Sequence, residues 1–322
     1  MTYFLVACLV LLGLELWYFR LANRFNIVDN PNKRSSHSSV VLRGGGIIFP
    51  ISLVIYEALN GFKIHPFFLV GLCIISAVSF ADDIKPVKAT HRSLVQLCCT
   101  ILMLLQLHLD VGIPIWWWTL PIIIIVGIMN AWNFMDGING ITAGYSLLTI
   151  GTLFYLNQSL ELFEPEFFYW IIAGLIVFSF FNMRKKAKCF AGDIGSISMA
   201  FIILFVLAKV LLVTRNPVYL MLLAVYGIDS ISTIIYRWKK GENIFLPHRQ
   251  HLYQYLANEK GWKHLQVTGL YVSLQLLINI VVLFLARLPI VQSMAIVVAL
   301  VLVMTILYAA IKQRLRQSIA IR

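Results

Sequence analysis

The sequence predicts an all-α, polytopic integral membrane protein with about eleven transmembrane helices (ten to eleven), and three observations carry that expectation. Of the 322 residues 60% are hydrophobic, and the mean hydropathy is +0.84, more apolar surface than a soluble core can hide. The apolar residues fall in stretches close to the roughly 20 residues that cross a hydrocarbon core. Basic residues collect in every second connection between those stretches, as they do in proteins that keep lysine and arginine on the cytoplasmic side.

The spans are expected near 3–19, 46–62, 66–81, 93–108, 115–133, 140–157, 167–182, 196–214, 217–236, 265–285 and 289–311. Three are interrupted by polar residues near one end, which gives ten as the alternative count. Met1-Thr2-Tyr3 has no positive n-region and no small-residue cleavage pattern follows Leu12, so the first stretch is expected to stay as a span. With the N-terminus outside and the C-terminus cytoplasmic, nearly all of the 26 basic residues face inward. Only Lys63, Arg215 and Arg287 fall outside, and Lys209 lies within a span. The outward loop 158–166 instead carries Glu161, Glu164 and Glu166. The net charge of +12 then reflects loops beside anionic lipid and requires no nucleic acid. The five cysteines show no metal-binding spacing. The reading is a single membrane-embedded domain over 1–322, with cytoplasmic loops at 20–46, 82–92, 130–140, 183–196 and 237–264.

Five of the fourteen acidic residues sit where spans meet that one side: Asp82, Asp83, Asp136, Asp193 and Asp229. A charge next to lipid is expensive unless paired, so repeated acids at segment ends point to a metal and phosphate site at the bilayer surface. The first inward loop carries Ser36 and His37, then Arg43-Gly44-Gly45-Gly46, whose glycine amides are expected to face an anion. After the third span, Asp82 and Asp83 repel each other unless a cation neutralises them; Lys88 and Lys85 follow, and a salt bridge to either is the simpler alternative. Asn130, Asn133 and Asp136 recur every three residues, which sets them near one face of a helix end. Gly137 and Gly140 break that helix around Asn139. Asp193 stands on a turn between Gly192 and Gly195, where it can reach a metal or cap a helix, and Phe190 offers an aromatic face to a base. The last loop holds His248, Arg249 and His251, which suit anion binding better than zinc, since no further ligands appear at usual spacing. Asp229 is expected to face this loop or the metal region, or to pair with Arg237.

In this order, the Asp-Asp pair, N-x-x-N-x-x-D-G-x-x-G, G-D-x-G-S and H-R-x-H resemble the polyprenyl-phosphate N-acetylhexosamine-1-phosphate transferases, glycosyltransferase family 4. His248-Arg249-Gln250-His251 with Tyr253-Gln254 looks most like the O-antigen-initiating branch; the teichoic-acid and common-antigen branch is the runner-up. The resemblance implies transfer of an N-acetylhexosamine-1-phosphate from a UDP-sugar to undecaprenyl phosphate, with UMP released and a lipid-linked surface glycan begun at the bacterial plasma membrane. It implies Mg²⁺, with Mn²⁺ able to substitute, held by Asp193 and Asp83. It gives Asp82, Asp83 and Asp136 catalytic roles, and it places Phe190 on uracil and His248, Arg249 and His251 on the sugar and diphosphate. The family usually has Asp at the position of Asn139, where this chain is expected to hydrogen-bond the uracil edge. Monomer and homodimer are both open. A transporter is the rival from another class, but its sites lie near the midplane, and these acids lie at one surface.

Overall fold

The computed structural model describes residues 2–31, 40–112, 114–243, 246 and 248–320. Its long helices are α1 (Thr2–Arg24), α2 (Ile48–Leu59), α3 (Pro66–Ile84), α4 (Ala89–Val111), α5 (Thr119–Met135), α6 (Ile141–Leu160), α7 (Pro165–Asn182), α8 (Gly192–Thr214) and α9 (Ala224–Lys239). A short turn, α10 (Leu252–Gln254), precedes α11 (His264–Leu285) and α12 (Ile290–Ala320). Each expected span coincides with one of these long helices. Among the described residues, eight helical stretches are long and apolar enough to cross a membrane, and Gly45–Leu59 and Thr119–Met135 are shorter apolar helices.

The remaining one, α6, is diluted by hydroxyls and amides, and the fold uses them. Tyr145 donates to Gln275 at 2.5 Å, Gln275 donates to Asn279 at 2.7 Å, and Asn279 donates to Thr152 at 2.9 Å. These bonds zip α6 to α11 inside the bundle, where no water could satisfy the same groups.

Helix α8 is apolar all round from Ile194 to Leu207, and nearly every side chain there is buried. A helix without a polar face belongs at the centre. Accordingly α3 and α5 pack along it, with α2, α4 and α6 completing the ring. Helices α1 and α2 lean on α7, and α12 leans on α9. Lys209, near the far end of α8, is neutralised by Asp110 of α4 at 3.1 Å and lies over the Phe163 ring. That explains a lysine within a span. At the opposite end, β1 (Val28–Asp29) pairs antiparallel with β2 (Val41–Leu42), and Leu42 bridges to Cys189. This small clasp fixes the connections before α2 and before α8 against each other.

Candidate active site

The chemistry-bearing loops meet at the end of the bundle where α3 stops and α8 starts. Asp83, fully buried, accepts from the Asp193 amide at 2.8 Å and the Ile194 amide at 3.0 Å. These are orphan donors of the first turn of α8, and a carboxylate there also complements the helix dipole. Arg43 adds its Nε at 2.7 Å to the same carboxylate, and its second arm lies 3.7 Å from Asp193. Burial works against the Arg43 cation, but Asp83 and Asp193 outweigh it and raise its pKa.

Asp82 points the other way. It accepts from the Val87 amide at 2.6 Å and from Arg92 at 2.5 Å, and Arg92 also reaches Asp193 at 3.3 Å. Asp82 and Asp193 lie within hydrogen-bond reach of each other. The cluster is therefore three carboxylates braced by two half-exposed arginines. Arg92 was visible in the sequence only as one more inward basic residue. The α3–α4 hairpin folds it back onto Asp82, ten positions earlier.

The glycines serve close approach. The amides of Gly45 and Gly46 are committed to the carbonyls of Phe190 and Ala191 at 2.9 and 3.1 Å. A Cβ on Gly46 would stand 2.2 Å from the Gly195 Cα. Gly45 and Gly46 therefore lock two backbones together, and the expectation of a phosphate cradle made by these amides is corrected. Gly44 sits at φ 78°, where Tyr18 donates to the neighbouring Arg43 carbonyl. Gly192 has φ 72°, and a Cβ there would lie 2.5 Å from an Asp83 oxygen.

The end of α5 distributes its three polar residues to three neighbours. Asn130 donates to Gln96 of α4 at 2.8 Å, Asn133 accepts from Ser196 of α8 at 2.8 Å, and Asp136 accepts from Thr142 of α6 at 2.6 Å. Burial raises the Asp136 carboxyl to about 6, against the pull of the Thr142 hydroxyl, and nearby Asp83 pushes the same way. Asn130 and Asn133 line a small recess together with Ser79, Arg92, Gln96 and Asp193 and the apolar side chains Ile75, Val78, Val95 and Ile197.

Asn139 is buried, and its amide donates to the Arg184 and Lys185 carbonyls at 2.8 and 3.4 Å. Those donors staple the basic loop, so they are not offered to a uracil edge. The same loop is held by Asn182, which donates to the Cys189 carbonyl and accepts from the Gly140 amide.

The segment 248–254 docks on the turn after α5. Tyr253 donates to the Phe134 carbonyl at 2.9 Å and occupies the space that a Cβ on Gly137 would need. His248 and His251 stack 4.9 Å apart. Burial, then the neighbouring His251 ring, Arg237 and Lys312, depress His248 to about 4. Arg249 is half-buried beside them. Asp229 faces this loop, bonding His251 and the Leu252 amide. Arg237 turns away to Glu242 at 3.0 Å. Lys88 is exposed at the start of α4 and Phe190 is half-buried next to the cluster. Ser36 and His37 lie outside the described residues.

Among the described residues no three His, Cys, Asp or Glu side chains form a ready-made metal cage. Mg²⁺ usually needs only one or two carboxylates plus substrate phosphates. Asp193 meets that requirement: the arginines that approach its carboxylate stay at 3.7 and 3.3 Å, whereas the two oxygens of Asp82 are taken by the Val87 amide and Arg92. Asp83 does not fit as expected, since both its oxygens are filled by the α8 amides and Arg43. It shapes the turn that presents Asp193.

Comparison with known proteins agrees with this arrangement. Residues 65–211 match the family described as Glycosyl transferase family 4, a segment that spans Asp82, Asp83, Asp136 and Asp193. A probable undecaprenyl-phosphate N-acetylglucosaminyl 1-phosphate transferase of Bacillus subtilis is 27% identical over 272 residues, covering 79% of this chain and 76% of that protein. Undecaprenyl-phosphate alpha-N-acetylglucosaminyl 1-phosphate transferases of Yersinia pestis and Escherichia coli K12 are each 24% identical, covering 73% of this chain and 70% of theirs. The family resemblance drawn from the motif order is thereby borne out.

Proposed function

We propose that this membrane protein transfers N-acetylglucosamine-1-phosphate, or a closely related N-acetylhexosamine-1-phosphate, from its UDP-sugar to undecaprenyl phosphate and releases UMP. The observation that carries this reading is the Asp82–Arg92–Asp193–Arg43–Asp83 cluster, whose Arg92 and Asp193 line a recess shared with Asn130, Asn133 and apolar side chains. The names of the three relatives support N-acetylglucosamine as the sugar. The product would begin a lipid-linked surface glycan, with the site facing the cytoplasm.

The reaction exchanges one phosphoanhydride for another. A lipid phosphate oxygen attacks the β-phosphorus of the UDP-sugar, the bond to the UMP oxygen breaks, and UMP leaves with that electron pair. No covalent nucleophile from the protein is required; the work is to bring two anions together and align them. Arg92 and Arg43 supply positive charge from opposite sides of Asp193. Asp82 is placed to hold a proton of the lipid phosphate or to orient it through Arg92. Asn130 and Asn133 offer neutral polar contacts along the recess. Phe190 is available to a base, and His248, Arg249 and His251 to the sugar and diphosphate. Mg²⁺, held by Asp193, would neutralise the phosphates.

The test is purified protein incubated with undecaprenyl phosphate and a panel of UDP-sugars, with and without EDTA. An organic-extractable sugar lipid should form from at least one UDP-N-acetylhexosamine and vanish on chelation. Failure with every sugar in the presence of Mg²⁺ would remove the proposal.

A further inference from the structure

We infer that Asp229 is a positioning residue that fixes the tautomer of His251 and presents its Nε2, as an acceptor, to a hydroxyl or amide N–H on the sugar of the substrate. This rests on the function proposed above. Both residues are nearly inaccessible, Asp229 at 1% and His251 at 2%. The Asp229 carboxylate is surrounded by donors: Tyr271 hydroxyl at 2.6 Å, Tyr308 hydroxyl at 2.8 Å, the Leu252 amide at 3.2 Å and the Thr233 hydroxyl at 3.3 Å. Lys312 stands behind this shell, donating to Thr233 at 2.6 Å and Tyr308 at 2.7 Å.

An oxygen pair that accepts from so many hydroxyls and an amide has no room for a proton of its own. The hydrogen in the 3.1 Å contact between His251 Nδ1 and Asp229 therefore belongs to the imidazole. The other ring nitrogen is then free to act. Among the described residues, nothing bonds the buried Nε2. An orphaned polar atom in such surroundings is costly unless a ligand completes it. Its ring is flanked by Phe134 and stacked on His248 and Tyr253, so its faces are covered and Nε2 is the one polar ring atom left to bind. The carboxylate–imidazole pair thus does for a binding histidine what an orienting acid does for a catalytic one.

The arrangement also gives the last helix a role. Tyr308 and Lys312 lie on α12, far along the chain from every motif, yet they hold the carboxylate that holds His251.

Two measurements test the inference. In ¹⁵N-histidine NMR of the purified chain, with His251→Gln used for assignment, Nδ1 of His251 should carry the hydrogen. A bare Nδ1 overturns the inference, and this arm needs no enzymatic turnover. In kinetics, Asp229→Asn should raise KM for the UDP-sugar about threefold to tenfold, as expected for one lost neutral hydrogen bond, with KM for the lipid phosphate unchanged. The double variant with His251→Ala should be no worse than His251→Ala alone, because Asp229 acts through His251. Multiplying losses, or an unchanged KM, would overturn the inference and leave Asp229 as structural. Should the parent chain transfer no sugar at all, the proposed function fails, while the NMR result still decides the Asp229–His251 pair.

Discussion

Replacing Asp83 by asparagine separates the two halves of the acid pair. Asp83 serves three donors with two oxygens: the Asp193 amide and Arg43 Nε on one, the Ile194 amide on the other. Asparagine keeps one acceptor and turns the other atom into a donor, which must face either Ile194 N–H or the Asp193–Arg43 pair. At least one bond to a charged acceptor is lost, about 1.5–3 kcal/mol, and a buried N–H is orphaned, about 1–3 kcal/mol more. The sum is about 2.5–6 kcal/mol, all of it on the turn that presents Asp193. Asp82 differs: its partners are the Val87 amide and a half-exposed Arg92, and an amide oxygen can still accept from one of them, so Asp82→Asn should cost only about 0.5–1.5 kcal/mol in stability. Thermal unfolding in one detergent, run beside the lipid-transfer assay, reads both effects. Asp83→Asn should lower the apparent Tm by about 5–15 °C, and Asp82→Asn by no more than about 3 °C. Asp82→Asn should nevertheless lose about a hundredfold or more in transfer, the scale of a missing proton-handling group. Equal Tm losses in the two variants, or an Asp83→Asn protein as stable as the parent, would refute the assignment of Asp83 to the turn.

Three further outcomes follow from the same geometry. Gly192→Ala meets both a left-handed backbone at φ 72° and the Asp83 carboxylate 2.5 Å away, so it should lose about 2 kcal/mol or more, while Gly227→Ala, with open space around it, should leave Tm and transfer unchanged. Asn139→Asp would set a carboxylate against the Arg184 and Lys185 carbonyls; a Tm loss worth about 1–3 kcal/mol with no change in Mg²⁺ requirement is expected, and a lowered Mg²⁺ requirement at full stability would refute it. Asp136 prefers its proton up to about pH 6 in the folded chain. A carboxyl raised in this way favours folding most below its unfolded value, and that contribution fades as pH climbs through about 6. If transfer needs the ionised form, kcat/KM should rise over the same interval and Asp136→Asn should remove that limb; a limb that survives the substitution belongs to another group.

Most of the bundle is legible because apolar length and lysine–arginine placement act locally along the chain. Even the polar helix α6 is found, as its leucines and isoleucines keep an apolar stretch of span length after Gly140. The site is legible where one residue carries one signal, as with Asp193 on its glycine turn. It is not legible where the role depends on a partner far away in sequence. Asp83 looks like Asp82 until α8 brings its first amides to it. Gly45 and Gly46 look like an anion loop until the 190–191 carbonyls arrive. Arg92 looks like topology until the α3–α4 hairpin closes. Asp229 gains its meaning from Tyr271 and from Tyr308 on α12, whose sequence gives no hint of the site.

The central claim is that a sugar phosphate, and not a bare sugar, passes to a lipid phosphate. UDP-N-acetylglucosamine labelled with ³²P at the β-phosphate tests it directly, with undecaprenyl phosphate and Mg²⁺ supplied to the purified protein. The label should move into the organic phase as UMP appears in the aqueous phase, and Asp193→Asn should abolish both. Label remaining in the aqueous phase as UDP, with unlabelled phosphate on the lipid product, would contradict the account.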